Sequence, residues 1–163
     1  MRAMKTHTLP KYIHPKRFCE DAVDLSGDFP ISQFERLKGL LSDDEGRVVV
    51  HLAFRKNKQH IPYVEGNLQV QWHLICQRCS GKLPHATEIS LLLSPIDDEK
   101  YIERLPEDYE PLIVEDDKIL LSAVIEEELL LAMPLVPKHE TEECMQVLRQ
   151  FNDGSSTTIK KGV

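Results

Sequence analysis

At 163 residues, with 41% hydrophobic and 29% charged residues, the chain has the length and composition of one soluble domain with a real core, not of a disordered or fibrous polymer. Its formal net charge of −7 argues against a generic nucleic-acid binder, whose footprint is basic. No apolar run approaches the roughly 18 residues that cross a bilayer, and the basic start lacks the apolar stretch of a secretory signal, so a cytoplasmic location is expected.

Charge is unevenly placed. Residues 1–19 carry Arg2, Lys5, Lys11, Lys16 and Arg17 and no acid, whereas residues 97–128 carry thirteen acids against Lys100, Arg104 and Lys118. From Leu9 to Leu25 the chain reads as extended, because Pro10 and Pro15 oppose a helix, and Gly27 and Pro30 then read as a turn. Ser32-Gln33-Phe34-Glu35 has the form of a capping box, followed by Leu37, Leu40 and Leu41, so a short amphipathic helix is expected before Ser42 to Gly46. Val48, Val50, Leu52 and Phe54 alternate with more polar neighbours, the period of a half-buried strand. A second strand piece, Ile61 to Val64, is set off by Glu65-Gly66 from the clearest alternation in the chain, in which Leu68, Val70, Trp72 and Leu74 face one side. Trp72 on that apolar face is expected in the core. After Cys76-Gln77-Arg78-Cys79-Ser80-Gly81-Lys82, a further alternating run over Thr87 to Leu93 implies a long antiparallel hairpin with the cysteines at its tip.

Pro95 to Pro111 reads as an acidic loop with a short helical turn, and Leu112 to Val114 as a short strand. Ile119 to Met133 is the strongest helix, with Leu120, Leu121, Val124, Ile125, Leu129 and Leu131 on its buried face and Glu126 to Glu128 toward water. Asp116 and Asp117 suit its positive N-terminal end, and Pro134 and Pro137 stop it. The fold class expected is α+β, an antiparallel β-sheet with a long hairpin, covered by one main helix of the C-terminal half plus a short N-terminal helix. Residues 1–153 form one domain in this reading and 154–163 a disordered tail.

Cys76-x-x-Cys79 stands out from the background. Two thiolates at this spacing in a tight turn make half of a tetrahedral zinc site, with Gly81 available for a positive φ and His139 and Cys144 as candidates for the other half. The same pair could serve thiol exchange, but that chemistry usually places the first cysteine at a helix start, or the two could simply pack at a hairpin tip. Hydrolase, metalloprotease, P-loop and dinucleotide fingerprints are missing from the sequence, so no catalytic residue and no small-molecule substrate are expected. For RNA, the exposed cations that invite attention are Arg17, Arg78 and Lys82.

Several stretches together resemble the YceD family, the large ribosomal RNA subunit accumulation proteins. They are Leu9-Pro10, Pro15-Lys16-Arg17, Gly27-Asp28-Phe29-Pro30-Ile31-Ser32, Ile75-Cys76-Gln77-Arg78-Cys79, Leu105 to Pro111, and Glu126-x-Glu128-Leu129-x-Leu131-Ala132-Met133-Pro134-x-x-Pro137-x-His139, followed by Cys144. The resemblance runs from about Leu9 to Cys144, and the chain departs from the family pattern in its last residues. It implies a bacterial, non-catalytic ribosome-biogenesis factor needed for accumulation or processing of large-subunit (23S) ribosomal RNA. Such a factor would act by binding precursor ribosomal RNA or a basic ribosomal or RNA-processing protein. The rival reading, from the residues alone, is a zinc- or thiol-dependent enzyme centred on Cys76 and Cys79. The one cofactor suggested is Zn2+, structural where four protein ligands close around it.

Overall fold

The structure is a computed structural model that describes residues 9–138. Its centre is a five-stranded sheet in the order β2-β3-β4-β5-β6, formed by β2 (Asp24–Pro30), β3 (Arg47–Lys56), β4 (Pro62–Ile75), β5 (Lys82–Ile96) and β6 (Glu110–Ile113). The first four strands are antiparallel neighbours, and β6 joins the edge parallel to β5. A two-stranded ribbon, β1 (Tyr12–Ile13) with β7 (Ile119–Leu120), and two helices, α1 (Pro15–Glu20) and α2 (Leu121–Ala132), complete the α+β architecture. No helix among the described residues is long and apolar enough to cross a membrane.

The strand alternation seen in the sequence is what builds the core. Val48, Val50, Leu52 and Phe54 of β3 and Val64, Leu68, Val70, Trp72 and Leu74 of β4 are all buried. They pair across the ladder as Val48 with Val70, Val50 with Leu68 and Phe54 with Val64. Over this face lie Ile31, Phe34, Leu37 and Leu41, together with Leu121, Val124, Ile125 and Leu129 of α2. The opposite sheet face carries Gln69, Gln71 and Glu88 and stays open to water, as an antiparallel sheet with one covered face can.

Several local expectations give way to tertiary packing. The break expected at Glu65-Gly66 is absent, and β4 runs through it. Gly66 stands opposite Leu52, and a Cβ there would strike Leu52 Cδ2 and lie 3.0 Å from the His51 carbonyl. The glycine therefore marks a close approach, not a turn. Gly27, expected in a turn, lies within β2, where a Cβ would come 2.7 Å from Leu9 Cγ. The capping box does not form: Ile31–Gln33 and Glu35–Leu37 are two 3-10 turns without a side-chain cap, separated by Phe34 in extended backbone. Burial of Ile31, Phe34 and Leu37 at a spacing of three suits the 3-10 repeat and not an α-helix. The short N-terminal helix is instead α1, where Pro15 occupies the first turn, a position in which its missing N–H costs nothing.

The main helix also begins two residues later than its apolar pattern suggests, because Ile119 and Leu120 pair with β1 and the Leu121 N–H donates to the Lys11 carbonyl at 3.0 Å. Leu131 falls outside the Leu121, Ile125, Leu129 stripe of spacing four and is 69% exposed. Glu126 and Glu128 are half-buried, and only Glu127 is fully toward water.

Candidate binding surfaces

The tip of the β4–β5 hairpin is a closed turn. The Cys76 N–H donates to the Gly81 carbonyl at 3.0 Å and the Ser80 N–H to the Cys76 carbonyl at 2.8 Å. The left-handed residue is Ser80, with φ 58°, and not Gly81 as the sequence suggested; Gly81 is needed for space, since a Cβ on it would lie 3.3 Å from Cys79 Sγ. Cys76 is buried and Cys79 half-buried. Both follow a strand end, so no helix dipole bears on them, and burial of Cys76 does not suit a thiol that must meet a substrate. One further contact ties the turn to the chain beyond α2: the Gln77 N–H donates to the Pro137 carbonyl at 2.8 Å. His139 and Cys144 lie outside the described residues.

Immediately behind the turn of the hairpin the structure assembles a polar network that the sequence did not disclose. Lys82 Nζ stands 2.9 Å from Asp43 Oδ2 and 3.9 Å from Glu45 Oε2, and His73 Nδ1 lies 2.8 Å from Asp43 Oδ1. Hydrogen bonds from Lys82 and then His73 hold the Asp43 carboxyl down at about 2, and Asp43 in turn raises the Lys82 ammonium. Asp43 and Glu45 read in sequence only as loop acids, and no local pattern connects them to residues thirty positions on. Close by, the buried Trp72 indole donates to His85 Nδ1 at 3.0 Å, which fixes the proton of His85 on its other nitrogen.

The three cations singled out for RNA do not form one patch. Lys82 is engaged by acids, whereas Arg78 is exposed at the hairpin tip. Arg17 is exposed on α1, and that helix packs where Cys19 Sγ donates to the Tyr63 carbonyl, near the start of β4. Tyr63 and Ile75 are separated by most of β4, roughly 40 Å at about 3.3 Å per residue.

The acids, by contrast, do cluster. All ten between Asp97 and Asp117 are exposed, on the crossover from β5 to β6 and its continuation. This segment is pinned to the sheet: Tyr109 stacks on Tyr63 with ring centres 5.6 Å apart, its hydroxyl accepts from Asn57 at 3.4 Å, and Lys16 pairs with Asp97 at 2.5 Å. Lys100 and Arg104 both lie over the Tyr101 ring, at 5.2 and 5.4 Å.

A family model described as "Large ribosomal RNA subunit accumulation protein YceD" matches residues 64–161, more than half of the chain. The chain belongs to the YceD family. A family member, the large ribosomal RNA subunit accumulation protein YceD of Haemophilus influenzae, is 32% identical over 142 residues, covering 86% of this chain and 82% of that protein. No solved structure matches significantly. The YceD match spans the cysteine turn, the acidic crossover and α2, so each of these surfaces lies within the shared region.

Proposed function

We propose that this YceD-family protein is a non-catalytic cytoplasmic factor that promotes accumulation of large-subunit ribosomal RNA, and that it does so by holding a basic ribosomal or RNA-processing protein on its acidic crossover. The name of the Haemophilus influenzae relative supports the first half. The observation that carries the second is the fixed, exposed run of ten acids from Asp97 to Asp117. Because Tyr109, Asn57 and Lys16 anchor the segment, its carboxylates are presented without a large ordering cost on binding. Exposed Ile102 and Ile113, at 40% and 37%, add apolar contact beside them. Complementary charge of this kind speeds encounter and selects partners, and it weakens with salt, since exposed charges are screened over about 10 Å at 0.1 M. Direct binding of precursor RNA is less well supported, because Arg17 lies far from the hairpin tip and Lys82 is engaged by Asp43 and Glu45.

The test is a tagged pull-down from cells that depend on this chain, with and without ribonuclease, using the wild type and the triple variant Glu103→Lys, Glu107→Lys, Asp108→Lys. A basic large-subunit assembly protein that survives ribonuclease, dissociates with salt and is lost in the variant, together with lowered large-subunit RNA, supports the proposal. Capture that vanishes with ribonuclease and is unchanged in the variant points to direct RNA contact instead. Failure to enrich either class would remove the ribosomal reading.

A further inference from the structure

We propose that the outer edge of β5 over residues 86–92 takes up an extended, basic segment of a partner protein as an added strand. This deepens the acidic-crossover reading and rests on it for the chemistry of the partner, while the edge supplies the mode of docking.

The open edge follows from the ladder. On one side β5 pairs with β4 from Lys82 to Leu93, whereas β6 covers its other side only from Leu93 to Ile96. Among the described residues no strand pairs with the remainder of that side. The turn sets which backbone groups face outward. Because the Cys76 N–H donates to the Gly81 carbonyl, the odd-numbered residues of β5 bond to β4 and the even-numbered ones point away from it. Pro84, with no N–H to give, falls accordingly among the outward residues. The outward Ile96 carbonyl accepts the Val114 N–H at 2.9 Å on the β6 side. Ala86, Glu88 and Ser90, all exposed, therefore present a row of backbone donors and acceptors that is a template for a further strand.

Both ends of this row are fixed. Pro84 interrupts the donors toward the hairpin tip, and β6 begins where Glu110 stands beside Leu93. Residues 86–92 span roughly 20 Å at about 3.3 Å per residue, which matches a strand of ordinary length.

Charge selects the occupant. Glu88 lies within the row and is exposed, and the exposed Glu110 closes its far end. Glu128 of α2 faces the same end: burial first, then the charge of Glu110, push its carboxyl up. A lysine or arginine carried in by an added strand relieves that repulsion. The half-buried Ile89 adds an apolar contact on the covered face of the sheet. A second copy of the chain suits the edge less well, since an antiparallel pair centred on Glu88 opposes two carboxylates and each chain carries a net charge of −7.

The experiment follows backbone amide exchange of the full chain by NMR, with a peptide of about seven residues alternating lysine and valine as the probe. A second probe has the same side chains but is methylated at every backbone nitrogen, so that it keeps the charge and loses the donors. The expected result is that the first peptide slows exchange at Ala86, Glu88 and Ser90, whereas Thr87 and Ile89, bonded to β4, exchange slowly throughout. The methylated peptide should bind at least about tenfold more weakly. So should the first peptide to the double variant Ala86→Pro, Ser90→Pro, which removes two outward donors and none of those given to β4; its melting temperature shows whether the sheet persists. Slow exchange of the outward amides in the protein alone would mean that the edge is already covered, and would overturn the proposal. Equal affinity for both peptides, with changes confined to the crossover, would overturn the added strand and leave the acidic-crossover reading standing. No binding of the first peptide also overturns the added strand, and the pull-down with the crossover variant then judges the acidic reading separately.

Discussion

The Lys82 ammonium and the Asp43 carboxylate meet at 2.9 Å, joining the first residue of β5 to a loop thirty-nine positions earlier in the chain. His73 holds the other oxygen of the same carboxylate, so the tip end of the hairpin is locked to the loop before β3. Because Asp43 is held at about 2, below its ordinary 3.8, the folded state binds this proton more weakly than the unfolded chain does. Its stabilisation is complete above about 3.8 and is lost as pH falls through about 2. The melting temperature of the wild type should therefore fall more steeply across that acid range than that of Asp43→Asn, which begins lower at neutral pH.

Glu128 should behave in the opposite sense. Burial first, then the nearby Glu110 and Glu127, push its carboxyl above the ordinary 4.5. The fold thus holds this proton more tightly than the unfolded chain, and stability declines as pH rises through the raised value. Glu128→Gln should melt higher than wild type at neutral pH, and the gain should disappear once the solution is acidic enough to protonate the wild-type side chain.

Gly66 offers the sharpest packing test. Gly66→Val places a branched side chain against Leu52 and the His51 carbonyl in the middle of β4, despite the higher strand propensity of valine. Overpacking of this kind costs about 1–3 kcal/mol. Urea unfolding should show the midpoint moving down; an unchanged or raised midpoint would show that Leu52 can swing clear.

Cys19 should be chemically silent in the fold. Burial pushes its thiol up to about 11, against the opposing hydrogen bonds from the backbone, so only about one molecule in a thousand is thiolate at pH 8. Iodoacetamide mapping by mass spectrometry should leave Cys19 unmodified until urea unfolds the chain. Rapid labelling under native conditions would mean that α1 opens readily.

Much of the sheet was legible because its signal is local. Period-two alternation in β3 and β4 needs only neighbouring residues to be read, and each of Val48, Val50, Leu52, Phe54, Val70, Trp72 and Leu74 is buried as that alternation requires. The helix over α2 was legible for the same reason, down to the proline that ends it. Elements that depend on a distant partner were not. Gly27 and Pro30 look like a turn until β3 is beside them, and Ile119–Leu120 continues a helical pattern until β1 takes its backbone groups.

By itself, the sequence determined the α+β class, the long hairpin with two cysteines at its tip, the membership in the YceD family and the crowding of acids after β5. Each of these follows from residue identity, spacing or composition along the chain. Tertiary structure alone decided that Lys82 spends its charge on Asp43, that Arg17 and Arg78 stand at opposite ends of β4, that Glu126 anchors the Arg36 N–H at 3.2 Å, and that Pro137 returns to the cysteine turn. These outcomes pair groups from 39 to 90 positions apart. Their energies depend on distance in space, which falls as the sheet and helix pack and is not encoded in any window of the chain.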